Sequence, residues 1–134
     1  MSLRLLVSLV CSLFVLTSFS VAKPAPEPTP LKIVKIGNDI FPLYEARSVQ
    51  PKKTVAPAYP ATERASNTSG EVLLALFVNE QGKVTRVEIV ESKPSPAFGD
   101  AAKVAVLQWR YPKVTYEGKP TAFIVQVPVI FNLN

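Results

Sequence analysis

The sequence predicts a two-layer α+β domain: a three-stranded antiparallel sheet with two helices on one face, in the order helix, strand, strand, helix, strand. Three patterns carry that prediction. Val72 to Val78 is an unbroken apolar run of strand length, VLLALFV. Phe98, Ala101, Ala102, Ala105, Val106 and Trp109 recur at the spacing that lines one stripe of a helix. Phe123, Val125, Val127, Val129 and Phe131 alternate with the period of a strand that buries one face. No internal repeat is visible.

The chain has 134 residues, room for one domain rather than two. Its start is unlike the rest. Arg4 precedes an apolar run from Leu5 to Val21, and Ser20-Val21-Ala22 puts small residues at the sites a signal peptidase reads. Residues 1–22 are therefore expected to be a secretory signal. The alternative is a membrane anchor, because a spanning helix needs roughly 20 apolar residues and this run is close to that. A lipoprotein signal is set aside, since Val10 stands where a small residue would precede Cys11. With its single Cys inside the leader, the mature chain has no thiol for a disulfide, a metal site or a nucleophile. Stability must then come from an ordinary apolar core.

Residues 23–30 read KPAPEPTP, which favours polyproline II geometry; about 25 Å of tether that buries nothing is expected. Leu31 to Tyr44 is too apolar for a linker. Gly37-Asn38-Asp39 supplies turn chemistry between its two apolar runs, so a hairpin is expected, with Pro42 holding the second arm at a sheet edge. Residues 31–56 thus form an N-terminal extension, a hairpin followed by a polar loop, and the domain proper occupies 57–134.

Within the domain, Pro60 suits a first helical position and Ala61 to Ala65 a short helix, ended by Asn67-Thr68-Ser69-Gly70. Asn79 to Gly82 is a hairpin loop with glycine where a positive φ is cheap. Lys83 to Glu91 continues as a strand whose apolar positions change parity, implying a bulge or burial on both faces. Ser95-Pro96 opens the second helix as N-cap and first turn, with Asp100 near the positive end of its dipole. Tyr111-Pro112 stops it, and Tyr116 to Pro120 is turn material before a strand from Thr121 to Asn132. Trp109, on the helical stripe, is expected in the core rather than at a ligand.

Function is bounded mostly by exclusion. There is no His, so the usual general base and commonest zinc ligand are missing. Glu88 and Glu91 are the only close acidic pair, and on a regular strand that offset points them to opposite faces. No glycine-rich phosphate loop exists. The chain is expected not to be an enzyme and to need no cofactor; a small hydrolase or ligand carrier is the minor alternative. Net charge is +5 and the positives are dispersed, which argues against nucleic acid. Asn67-Thr68-Ser69 matches a glycosylation acceptor, a tripeptide that chance also supplies in polar loops.

One feature points towards binding. Pro128 cannot donate a ladder hydrogen bond, which places the last strand at an edge, at least locally. An edge offers backbone groups on which a partner's extended segment can add. The alternative is an edge protected by Pro128 or covered by the Leu31–Tyr44 segment.

The ordered set Pro57, Tyr59-Pro60, Gly70-x-Val72, Val78 with Gly82-x-Val84, Glu91-Ser92, Phe98-x-Asp100-x-Ala102, Trp109-x-Tyr111-Pro112, Gly118-x-Pro120 and Val129-x-Phe131 resembles the C-terminal domain of TonB-type energy transducers. The resemblance implies the fold already read. It also implies a protein partner in the cell envelope, such as an outer-membrane receptor, whose short extended segment pairs with the last strand. Carried over, the binding edge is Phe123, Ile124, Val125, Gln126, Val127, Pro128, Val129 and on to Phe131. A second copy of the chain is a further candidate partner, and no small-molecule substrate is implied. The expected location is the periplasm, with an inner-membrane anchor facing it as the alternative. Two departures bear on transduction: the leader has no polar His, and residues 23–56 fully extended reach only roughly 115 Å.

Overall fold

The computed structural model describes residues 26–133, so the leader expectation for residues 1–22 lies outside the described residues. The elements are β1 (Lys32–Ile36), β2 (Asp39–Glu45), α1 (Ala61–Ala65), β3 (Gly70–Val78), β4 (Val84–Lys93), α2 (Pro96–Val106), β5 (Thr115–Tyr116), β6 (Lys119–Pro120) and β7 (Phe123–Phe131). The domain is α+β, as expected. Its main sheet has five strands rather than three, in the order β1-β2-β7-β3-β4, beside a two-stranded β5-β6 hairpin. The three expected strands lie together as β7-β3-β4, and the N-terminal hairpin extends them.

That hairpin turns at Gly37-Asn38, with Ile36 opposite Asp39 and Gly37 at φ 62°, the positive first position that a two-residue turn of type II′ requires. β2 is not the edge that Pro42 suggested: β1 flanks it on one side and β7 on the other. Pro42 stands one residue ahead of the first β2–β7 pair, Leu43 with Ile124, where its missing N–H interrupts no pair.

β3 and β4 pair antiparallel with two register shifts, between Leu73 and Leu74 and between Phe77 and Val78. Thr85 and Val90 are the extra residues on β4. Each bulge reverses the alternation, which is why Val84 and Val87 both face the helices. The Val90 bulge also corrects the reading of the acidic pair. Glu88 lies opposite Ala75 and Glu91 opposite Leu73, two positions of one parity, so both carboxylates share the outer face. Each has its own cation, Arg86 and Lys93.

Pro60 is the N-cap of α1 rather than its first helical residue, with extended φ and ψ of −60° and 134°. α2 starts as expected: Ser95 accepts from the Ala97 N–H at 3.2 Å, with Pro96 in the first turn. Asp100 lies beyond the first turn and is exposed. The carboxylate at this helix terminus comes instead from α1. The Ser95 hydroxyl donates to Glu63 Oε1 at 2.8 Å, and Glu63 is the one buried charged side chain among the described residues. α2 ends at Val106, capped by Leu107, so Trp109 follows the helix rather than extending its stripe. It still packs against the core, and its indole N–H donates to the Val55 carbonyl at 2.9 Å.

The main core lies between the sheet and the helices. Val72, Leu74, Leu76 and Val78 of β3 meet Phe123, Val125, Val127, Val129 and Phe131 of β7, under Phe98, Ala102 and Val106 of α2. A smaller cluster, Leu43, Ala75 and Ile124 with Val34, Phe41 and Phe77, sits on the other face. The tether contributes too. Glu27 Oε1 accepts from the Thr115 hydroxyl at 2.9 Å and the Gly118 N–H at 3.2 Å, and Pro28 and Pro30 are half-buried. The proline run therefore docks on the β5–β6 hairpin, against the expectation that it buries nothing. A carboxylate within it meets two donors that a plain polyproline segment would leave alone.

Candidate protein-binding edge

The two flanks of β7 differ. On one side β3 pairs with it along its whole length, from Gly70–Phe131 to Val78–Phe123, with no register shift. On the other, β2 pairs in parallel at only three positions: Leu43 with Ile124, Tyr44 with Val125, and Glu45 with Gln126. The chain then turns away through Ala46-Arg47, the Ser48 N–H donating to the Glu45 carbonyl at 2.9 Å. Among the described residues, no strand lies beside Val127 to Phe131 on that flank.

The predicted edge is therefore an edge over half its length. Ile124, Val125 and Gln126 are enclosed between two neighbours, and the segment that encloses them is the chain's own Leu31–Tyr44 hairpin, continued to Glu45. A proline fits a paired strand only where its nitrogen faces away from the partner. The unshifted register through Leu73–Pro128 thus turns the Pro128 nitrogen from β3 towards the open flank. Ile130, two residues on, shares that phase. The Pro128 carbonyl and both backbone groups of Ile130 look out where β2 has ended.

Side chains sort by parity. Phe123, Val125, Val127, Val129 and Phe131 enter the core, and Ile124 is covered on the outer face. Gln126 is half-buried, whereas Pro128 is exposed and Ile130 is 64% exposed. Two shallow grooves flank this outer surface. One is lined by Glu45, Ala46, Arg47, Leu73, Gln126 and Pro128, with Arg47 Nε 2.5 Å from the Glu45 carboxylate. The other is lined by Ser69, Gly70, Glu71, Lys93, Pro94, Ile130 and Asn132. The Glu91 carboxylate, hydrogen-bonded to Lys93, holds that ammonium above its ordinary pKa. Charges here come in pairs, so the open flank presents backbone and apolar surface rather than a field of one sign.

The remaining motif residues build what stands behind β7. The Tyr59 ring meets Phe98 and Phe131 edge-on, each at 5.7 Å, and its hydroxyl donates to the Thr68 carbonyl. Gly70 is required because a Cβ there would overlap the Phe98 ring. Gly82, at φ 83°, lies against the Tyr111 carbonyl and accepts from the Tyr111 N–H at 2.8 Å. Tyr111 is buried, its ring edge-on to Phe123, and desolvation holds its phenol well above the usual range. Pro112 follows it, half-buried. Gly118 and Glu117, at φ 76° and 51°, make the two-residue turn of β5–β6. Partial cover by the Leu31–Tyr44 segment is the alternative the sequence raised, on the signal of a segment too apolar for a linker; its parallel register with β7 had no local signal.

Residues 55–133 match the family described as "Gram-negative bacterial TonB protein C-terminal". The chain belongs to this TonB C-terminal family. The TonB protein of Xanthomonas campestris pv. campestris is 33% identical over 86 residues, which cover 64% of this chain and 39% of that protein. That of Escherichia coli is 36% identical over 78 residues, covering 58% and 30%. The chain thus spans well under half the length of these relatives. The solution NMR structure of the Pseudomonas aeruginosa TonB C-terminal domain superposes with a TM-score of 0.54 at 24% identity, covering 63% of this chain and 86% of that one, a likeness of fold. The β1–β2 hairpin lies outside the TonB C-terminal match.

Proposed function

We propose that this chain is an exported, periplasmic TonB-like module that binds an envelope protein by strand addition on β7. The observation that carries the reading is the half-open flank: Val127 to Phe131 is fully paired with β3 and unpaired on its other side among the described residues. Added backbone hydrogen bonds supply affinity there, and side chains beside Leu73, Pro128 and Ile130 supply specificity. Of the two outer edges of the sheet, β1 and β4, the latter suits this role less. β4 carries two bulges and the charges Arg86, Glu88, Glu91 and Lys93, devices that blunt an edge against pairing. An outer-membrane receptor is the partner that family membership favours.

A membrane-anchored transducer is the second reading, favoured by the apolar run from Leu5 to Val21. The docked Glu27 limits it. From Ala22 to Glu27 the chain extends at most about 18 Å, so a retained anchor would hold the domain against its own membrane unless the tether undocks. Mass spectrometry of the mature N-terminus separates the readings: a chain beginning at Lys23 removes the anchor.

Strand addition is tested by Ile130→Pro. Its backbone faces the open flank, so the β3 ladder survives while the donor is lost. Capture of envelope proteins by the chain should fall at least tenfold with the urea midpoint little changed. Undiminished capture would remove the mechanism.

A further inference from the structure

We propose that the β1–β2 hairpin is a resident stand-in for the partner's strand, displaced when the partner adds. This rests on the strand-addition reading. β2 already lies parallel to β7, and its line continues directly into Val127–Phe131. An incoming strand longer than that stretch meets Glu45 unless the hairpin leaves.

Two observations make the hairpin a replaceable occupant. It joins the sheet through β2 alone, because among the described residues β1 pairs with nothing else. And β2 is an imperfect strand for this seat: pairing is confined to Leu43–Glu45, and the buried Tyr44 hydroxyl has no hydrogen-bond partner. A segment without these defects binds the same seat better.

The occupant describes the ligand. Leu43 packs with Ala75 and Ile124 on the outer face, and the Tyr44 ring stands edge-on to Phe123 at 5.7 Å on the inner face. The preferred partner is an extended segment running parallel to β7, with an aliphatic residue in the place of Leu43 and an aromatic one lacking a hydroxyl in the place of Tyr44. It continues along Val127–Phe131 with an unbroken row of backbone donors. Tethering gives the resident strand a millimolar effective concentration, so weaker segments are refused.

The test uses the full chain with Cys11→Ser, clamped by Leu43→Cys with Ile124→Cys, which are register partners. The probe is a labelled peptide of residues Asp39 to Ala46 carrying Pro42→Ala and Tyr44→Phe. Reduced protein should capture it at least tenfold more tightly than the same protein oxidised. An unclamped Tyr44→Ala chain should gain at least tenfold over the unaltered one, a gain that damage to the fold does not produce. Equal capture by oxidised and reduced forms would overturn the displacement while leaving strand addition on the open stretch. Absence of capture by every form, Tyr44→Ala included, would overturn both.

Discussion

The two flanks of β7 are made of the same strand and do opposite work. Towards β3 it is core: nine register pairs without a shift, with Val72, Leu74, Leu76 and Val78 buried beside its own inward side chains. Towards β2 it has three pairs, a proline at the approach and an open end. On the strand-addition reading proposed above, a strand that holds a domain together and also accepts a guest cannot be equally committed on both sides. The difference is a difference of cooperative unit: loss on the β3 flank should unfold the domain, whereas loss on the β2 flank should free a hairpin.

Phe98→Ala is the severest test of that division. Phe98 is fully buried under Gly70 and against Phe131, so its removal should cost about 3–5 kcal/mol, against a typical total of roughly 5–15. The urea midpoint should drop with amides of β3 and β7 losing protection together. Tyr44→Ala should cost the hairpin about 2–4 kcal/mol, somewhat offset because its hydroxyl is already unpartnered. Hydrogen exchange should quicken in β1 and β2 and leave Val72–Val78 protected. If β3 quickens equally, the hairpin is no separate unit and the comparison fails. Ser95→Ala removes a cap and, among the described residues, the one hydrogen bond to the buried Glu63 carboxylate; about 1–2 kcal/mol should be lost from the domain, read by thermal melting, with hairpin exchange unaffected.

Much of the β3 flank was legible in the sequence, because its causes are local. Ser95-Pro96 starts α2 by capping chemistry, VLLALFV is a strand by length and apolarity, and the Phe123–Phe131 alternation names its own buried face. What escaped depends on distant partners or on defects in a period. Leu43 and Ile124 are neighbours across most of the chain, and no propensity reports a pairing. The Val90 bulge put Glu91 on the face of Glu88, where strict alternation would separate them. Trp109 falls at helical spacing in the sequence but follows the helix, its indole fastened to Val55 rather than packed on a further turn. Of the binding edge, Pro128 correctly marked an open flank, and its extent was set by β2, which Pro128 cannot report.

Two tyrosines flanking Phe123 give the finest reading of the comparison. Tyr44 approaches its ring at 5.7 Å from the hairpin and Tyr111 at 5.9 Å from the domain, and neither hydroxyl has a hydrogen-bond partner. Burial raises both phenols above their usual 10.0, chiefly by desolvation, with the Glu27 carboxylate and then Tyr116 adding to it at Tyr44. Below that value folded and unfolded chains hold the same proton and the stabilisation is intact. Above it the unfolded chain releases the proton first, so stability falls as pH rises towards the folded pKa, by up to about 1.4 kcal/mol per pH unit at Tyr111 and in the same direction at Tyr44. Tyr111→Phe should be neutral or slightly stabilising at pH 7 and should flatten this alkaline decline. If the hairpin opens by itself, phenolate absorbance from Tyr44 appears while near-ultraviolet circular dichroism still reports a folded core; the difference between the unaltered chain and Tyr44→Phe isolates it from the other tyrosines. Tyr111 ionises only as the core is lost. Simultaneous ionisation of the two would mean that both flanks of β7 open as one, and the guest's seat could then be vacated only by unfolding the domain.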